Sequence, residues 1–243
     1  MRDLANAPPA IFGGTAEALE LARRIPGAVL LLPPGERRPP GVPGSFETAD
    51  ISADWLARTG VFGLIIAPHP FGAESARAAA AAADEQGVPR VFLRRPGWRA
   101  PRGARWHRAR SAEQLPRLIP AGARIFAATG RDDLAALRRL NARVFLRRIS
   151  GPPEPIPGVI AVAGTPPFTV REEMRLFRRL GIDWLVLRDA GGPGARPKLD
   201  AAHRLGLRVA LIDRPAWPDG PCVTTAEEAL QWLSRTIPSA ASS

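Results

Sequence analysis

Short apolar runs of strand type alternate along this chain with Ala/Leu/Arg stretches of helical period, and Gly, Pro or an N-cap residue separates the members of each pair. That alternation constrains the fold more than any other feature, because it is the pattern of parallel strands joined by helical crossovers, an α/β architecture. Strands are expected at Ala10–Phe12, Val29–Leu32, Leu64–Ala67, Val91–Leu93, Ile125–Ala128, Arg143–Leu146, Val159–Val162, Trp184–Leu187 and Val209–Ile212, enough for two sheets. Helices are expected at Ala16–Arg24, Ala53–Arg58, Ala73–Gln86, Ala112–Ile119, Asp132–Leu140, Val170–Leu180, Pro197–Leu205 and Ala226–Arg235. Thr169 with Glu172, Ser111 with Gln114 and Thr225 with Glu228 have the spacing of capping boxes. Gly87, Gly181 and Gly206 stand where helices need a left-handed C-cap. The Ala78–Ala83 run reads as helix packed close against a sheet.

The 243 residues allow one large domain or two small ones. One βα series stops at RLIPAGAR and a fresh strand begins at Ile125, so Pro120–Gly122 is the expected joint, dividing the chain into 1–121 and 122–243. The Pro-rich crossing Gly151–Gly158 is a second candidate hinge. A lone Cys222 makes no internal disulfide, and no Cys/His cluster has metal spacing, so no metal is expected and a reducing cytoplasm is the default. The longest apolar runs, Ala28–Leu32 and Leu64–Ala67, fall far short of the ~20 residues of a membrane helix, and no signal peptide is evident, so a soluble protein without a membrane partner is expected.

Lys and Arg number 34 against 23 Asp and Glu, a balance of +11, and Lys198 is the single lysine. An excess of this sign suits nucleic acid, an anionic membrane surface or an acidic small molecule, and composition does not choose. Position is more informative. Ligands of parallel α/β sheets bind at the carboxyl ends of strands, and here those ends carry Gly13-Gly14-Thr15, Pro33–Arg38, Pro68-His69-Pro70-Phe71, Arg94-Arg95-Pro96, Thr129-Gly130-Arg131, Arg147-Arg148, Gly164-Thr165, Arg188–Gly192 and Asp213-Arg214-Pro215. Arginine stands at six of these nine ends, either an anion-binding rim or a solvated basic surface.

Gly13-Gly14-Thr15, between strand and helix, is a usable phosphate turn, though also simply a tight βα turn. Arg37 and Arg38, after the second strand, suit a 2′-phosphate and hence NADPH over NADH. Thr129-Gly130-Arg131 before Asp132 is a second such turn or an ordinary capped helix start. His69, held between two prolines, is either a general acid or a structural hydrogen-bonder. No paired carboxylates, GxSxG elbow, P-loop or Cys/His dyad is present, which leaves hydrolytic mechanisms with little support. Hydride transfer asks least of side chains, because the cofactor carries the reactivity.

Taken in order, these segments resemble the precorrin-6A reductase family of cobalamin biosynthesis. IFGGTAEALELARRI (11–25) looks like its opening GGTxEA turn, and APHPFGAESARAAAAAADEQGVPRVFLRRPGW (67–98) like its THPFA, GVP and ERPxW run. IFAATGRDDLAAL (125–137) resembles its TTGR turn, PPFTVREE (166–173) its GPFSxEDE, and residues 181–215 its K-SGG…KLdAA…RP block. The resemblance implies two Rossmann-like domains, each a parallel sheet flanked by helices, with the site in the interdomain cleft. It implies NADPH-dependent reduction of a ring double bond of precorrin-6A, giving precorrin-6B.

On that reading Gly13, Gly14, Thr15, Arg37, Arg38, Thr129, Gly130, Arg131, Arg188, Gly191, Gly192 and Lys198 hold the cofactor. His69 is the catalytic residue, and Phe71, Arg94, Arg95, Arg147 and Arg148 bind the macrocycle, whose carboxylates suit arginine forks. The chain departs from the family pattern at Ile66, Pro68, Pro166 and Arg188-Asp189-Ala190, which leaves the proton source open, solvent included. A diverged, non-catalytic tetrapyrrole-binding relative is the second class to weigh. A nucleic-acid partner is not expected, because only Trp98 and Trp106 lie in the arginine-dense 94–110 stretch. The oligomeric state is not legible.

Overall fold

A computed structural model describes residues 7–34, 46–149 and 156–236. In chain order it forms β1 (Ala10–Phe12), α1 (Ala16–Arg24), β2 (Val29–Leu32), β3 (Phe46–Thr48), α2 (Ala53–Thr59), β4 (Leu64–Ile66), α3 (Ala73–Glu85), β5 (Arg90–Leu93) and β6 (Arg105–Ala109). A 3-10 turn at Ala112–Gln114 leads into α4 (Leu115–Leu118), β7 (Arg124–Ala128), α5 (Leu134–Arg138), β8 (Arg143–Arg148), β9 (Ile160–Ala163) and α6 (Val170–Leu180). The chain closes with β10 (Trp184–Arg188), α7 (Arg196–Arg204), β11 (Arg208–Ile212), β12 (Cys222–Val223) and α8 (Ala226–Thr236).

Two six-stranded sheets result, ordered β3-β2-β1-β4-β5-β12 and β9-β8-β7-β10-β11-β6, and every pairing between their strands is parallel. Numbered by chain order, the first sheet runs 3-2-1-4-5-6, the doubly wound order that binds dinucleotides at the point where strand order reverses; the second runs 3-2-1-4-5 from β7 onward, and β6, which precedes β7 in the chain, takes its sixth place. The chain divides into two compact units, residues 1–96 with 215–243, and residues 97–214. The structure therefore draws the division elsewhere than the expected joint at 121/122. Two strands cause the shift. β6 pairs with β11 and so carries everything from 97 onward into the second unit, while β12 pairs with β5 and returns the C-terminal segment to the first.

In the first unit both faces of the sheet are covered. Ile11, Leu30, Ile65 and Val91 pack with α1 and α8, whereas Phe12, Leu31, Leu64, Ile66 and Phe92 pack with α2 and α3. The alanine run serves the second face: Ala76, Ala79, Ala80 and Ala83 recur at helical spacing and are buried, so α3 lies close on the sheet. In the second unit Phe126, Phe145, Leu185, Leu187, Val209 and Leu211 meet Phe177 of α6 and Leu199 of α7.

Local signals account for the helix ends. Thr169 and Glu172 form a full capping box, and Gly181 closes α6 at φ 57. The other two expected boxes form differently. Thr225 accepts from the Glu228 N–H at 3.2 Å, but the Glu228 carboxylate turns to Thr224, taking its N–H at 2.6 Å. Ser111 makes no capping bond, and Gln114 accepts from the Arg110 N–H instead.

Candidate active site

The turn after β1 is closed by the fold itself. Gly13 has φ +131, and a Cβ there would stand 2.2 Å from the Ala67 carbonyl oxygen, so only glycine lets β1 leave the sheet against the end of β4. The Thr15 hydroxyl donates to the Ala67 carbonyl at 2.9 Å and accepts from Ala18 N–H at 3.3 Å, capping α1. Glu17, in the first turn of α1, forms a 2.7 Å ion pair with Arg95. Arg95, expected to meet substrate, is therefore held by a carboxylate of its own unit. Gly14 lies between the two anchored residues.

The loop after β4 presents His69 and Phe71. The Phe71 N–H donates to Nδ1 of His69 at 3.3 Å, so a neutral ring carries its hydrogen on Nε2, and the imidazole is exposed. The same loop is pinned by Trp217, whose indole N–H donates to the Pro70 carbonyl at 2.9 Å. Arg94 lies over the Trp217 ring at 5.7 Å. Arg37 and Arg38 lie outside the described residues.

The second unit ends its strands differently. Ala127 of β7 pairs with Leu146 of β8, and Ala128 with Leu187 of β10, so Arg148, Thr129 and Arg188 stand at matched height on three neighbouring strand ends. Arg188 forms a fork to Asp133, 2.7 and 2.9 Å, and reaches Asp132 at 2.9 Å. Burial works against the Arg188 charge, yet Asp133 and then Asp132 hold its pKa above the ordinary value. This arginine braces the turn after β7 rather than offering an uncommitted fork. Thr129 is 5% exposed, and its hydroxyl has no partner among the described residues. Gly130 takes φ +85 with nothing within 4 Å of a built Cβ, so this turn is open at its glycine, whereas the turn after β1 is packed shut at Gly13. Arg131 is exposed.

On the other face of the sheet Arg147 gives both oxygens of Glu173 a hydrogen bond, at 2.9 and 2.8 Å, and Lys198 meets Glu173 at 3.2 Å. All three are buried. Phe168 completes the group, with the Arg147 guanidinium 4.2 Å and the Lys198 ammonium 4.4 Å from its ring centre. Burial pushes the Lys198 ammonium below its ordinary pKa against the pull of Glu173, and Arg147 adds to the lowering. Two cations and one carboxylate leave this cluster with one positive charge. It edges a cavity of about 320 Å³ whose lining includes Arg147, Thr165, Phe168, Glu173 and Arg179. Lys198, expected to hold the cofactor, thus sits on α7 in a buried triad.

Gly191 and Gly192 both have positive φ, and the Gly192 carbonyl accepts from the Trp98 indole at 2.8 Å. Beside them stands a residue of the same strand end to which the sequence assigned no role. Asp189, 3% exposed, accepts from the Trp98 N–H at 3.0 Å and pairs with Arg108 at 2.9 Å. A Cβ on Gly97 would stand 2.6 Å from its carboxylate, which accounts for that glycine. Glu173 and Phe168 were likewise not singled out. For Glu173 a signal existed: it lies four residues before Phe177 on the buried side of α6, a carboxylate on an apolar stripe.

The family model described as precorrin-6x reductase CbiJ/CobK matches residues 10–234. The chain belongs to the precorrin-6x reductase family. A curated precorrin-6A reductase of Rhodococcus erythropolis is 38% identical over 240 residues, covering 92% of this chain and 96% of that protein. One of Rhodobacter capsulatus is 36% identical over 237 residues, covering 92% and 94%. A solved structure titled CobK precorrin-6A reductase superposes with TM-score 0.85 at 32% identity, covering 95% of this chain and 97% of that one. A precorrin-6x reductase with two doubly wound sheets is thus an enzyme of cobalamin biosynthesis. No helix among the described residues is long and apolar enough to cross a membrane.

The residues present fit a dinucleotide. In the second unit the turn after the first central strand is open over Gly130 and holds a buried hydroxyl without a partner, features that a phosphate oxygen would satisfy.

Proposed function

We propose that this chain reduces a ring double bond of precorrin-6A with NADPH as hydride donor, giving precorrin-6B in the cytoplasm. The observation that carries the cofactor half of this reading is the unpartnered Thr129 hydroxyl at the switch-point strand of a sheet ordered 3-2-1-4-5 from β7 onward. Thr129, Gly130 and Arg131 would hold the pyrophosphate, with Gly191 and Gly192 on the neighbouring strand end. When bound, NADPH supplies the hydride, and one proton completes the addition of two hydrogens across the carbon–carbon bond.

The remaining work falls to the chain's own side chains. His69 presents Nε2–H from a loop fixed by the Phe71 and Trp217 hydrogen bonds, which suits it to donate a hydrogen bond or the proton to the ring. Phe71 offers an apolar surface beside it, and Arg94, stacked on Trp217, offers a fork to a propionate or acetate. Arg95, Arg147, Arg188 and Lys198 act at one remove, by fixing the loops and strand ends that bear these groups.

The test is to mix purified protein with precorrin-6A and NADPH and follow the absorbance of both. Oxidation of NADPH matched by loss of precorrin-6A is expected. Binding of precorrin-6A with no nucleotide-dependent change would make this chain the non-catalytic relative. His69→Gln is expected to lower kcat by roughly 100-fold while leaving KM for NADPH unchanged.

A further inference from the structure

The strand ends of the second unit raise a question of charge. Of the basic residues there or close by, Arg147 and Lys198 are spent on Glu173, Arg188 on Asp132 and Asp133, and Arg214 donates to the Asp189 carbonyl. Arg148 differs from these. Among the described residues it has no carboxylate within ion-pair distance, and one of its terminal nitrogens is buried without a hydrogen-bond partner. A guanidinium nitrogen removed from water and left unanswered is costly; Arg147 and Arg214 of the same unit each have one as well, but their other nitrogens are committed to Glu173 and to the Asp189 carbonyl.

Topology says which ligand. β7 is the first strand of the 3-2-1-4-5 order that the sheet keeps from β7 onward and β8 the second, so Arg148 is the last residue of strand two. In sheets of this order the residue after or at the end of strand two reads the adenosine ribose: an acid there accepts the free 2′-hydroxyl, and an arginine takes a 2′-phosphate. The chain offers no acid at 147–149. Thr129, at matched height on strand one, marks where the pyrophosphate turn begins.

We propose that Arg148 is the residue that selects NADPH over NADH, by pairing with the 2′-phosphate at the end of strand two of the second unit. This rests on the reductase reading above. It moves Arg148 from the substrate side, where the sequence placed it, to the cofactor. It also gives the second unit, rather than Arg37 and Arg38 of the first, the part of reading the phosphate. Arg148 acts on binding and takes no part in the chemical step.

The experiment is calorimetric titration of the full-length chain with NADP+ and with NAD+, for the wild type and Arg148→Gln, each checked for an unchanged melting temperature. NADP+ is expected to bind the variant roughly 10- to 100-fold more weakly, the range of a charge-assisted pair, with NAD+ affinity unaltered. Arg148→Lys keeps the charge without the fork and should lose part of the same preference, which preserves the test if the Gln variant folds poorly. Equal weakening of both nucleotides, or no weakening of either, overturns the assignment. So does loss of the preference in an Arg37→Gln/Arg38→Gln chain with Arg148→Gln unaffected, or weakened precorrin-6A binding at unchanged NADP+ affinity. A wild-type chain that binds neither nucleotide overturns the cofactor reading itself and this assignment with it.

Discussion

After β1 the chain turns through Gly13-Gly14-Thr15, and the threonine hydroxyl both donates and accepts within its own unit; in the turn after β7, where the threonine comes first, the Thr129 hydroxyl is buried and unanswered. The flanking strand ends diverge in the same sense. In the first unit the turn is fixed by steric contact with the Ala67 carbonyl and by the Thr15 hydrogen bonds, with the Glu17–Arg95 ion pair on the first turn of the helix that follows. In the second, buried ion pairs fix the surroundings while the turn stays open. One strand order therefore serves two purposes. A doubly wound sheet supplies a place for a phosphate, and the local side chains decide whether the fold fills that place itself or leaves it for a ligand.

The contrast can be broken most severely through Glu173. Glu173→Ala leaves Arg147 and Lys198 buried side by side without their carboxylate and is expected to cost about 3–5 kcal/mol in chemical denaturation, with Glu173→Gln costing less. Next in size is the pair of turn glycines. Gly13→Ala drives a Cβ into the Ala67 backbone and should cost about 3 kcal/mol, against about 1–2 kcal/mol for Gly130→Ala, where only the backbone conformation resists. Equal losses at the two glycines would erase the distinction between a closed and an open turn.

A smaller effect separates the two threonines. Thr15→Val removes a cap and a carbonyl partner and should cost about 1 kcal/mol, whereas Thr129→Val removes a hydroxyl that has no partner and should leave the melting temperature unchanged or raise it. The same Thr129→Val chain should bind NADP+ more weakly.

The smallest effect is one of pH and touches both units alike. The Thr169 N–H, then its hydroxyl, hold Glu172 below the ordinary glutamate range, and the Thr224 N–H and hydroxyl do the same for Glu228. A carboxylate depressed in the folded state contributes stability that is present above its unfolded value and is lost as pH falls through the folded one. Amide hydrogen exchange at Thr169 and Thr224 should therefore quicken only below the ordinary glutamate pKa.

The apolar alternation made the architecture readable: all nine expected strands and the eight helices are present, and Val170–Leu180 has the expected bounds. What escaped were β3, β6 and β12. β12 has two residues, β3 has three with two exposed, and β6 reads Arg-Trp-His-Arg-Ala with only its last residue buried, so none carries an apolar run. Missing the last two displaced the domain boundary, since they are the strands that cross between units. At the site, glycine and threonine positions were legible because turns impose them. The pairing of the arginines was not, because Glu17, Asp133 and Glu173 are distant in sequence from the cations they hold, and only the folded sheet brings them together. Much of what a strand-end count offers as free positive charge is thus consumed internally.

The one lysine among 34 basic residues is the buried member of the Glu173 cluster. Reagents that acylate primary amines consequently find no lysine on the surface of this protein, and their reaction at Lys198 waits on the cluster coming apart. The rate of that single modification is a built-in clock for local opening of the second unit, readable by mass with no label introduced.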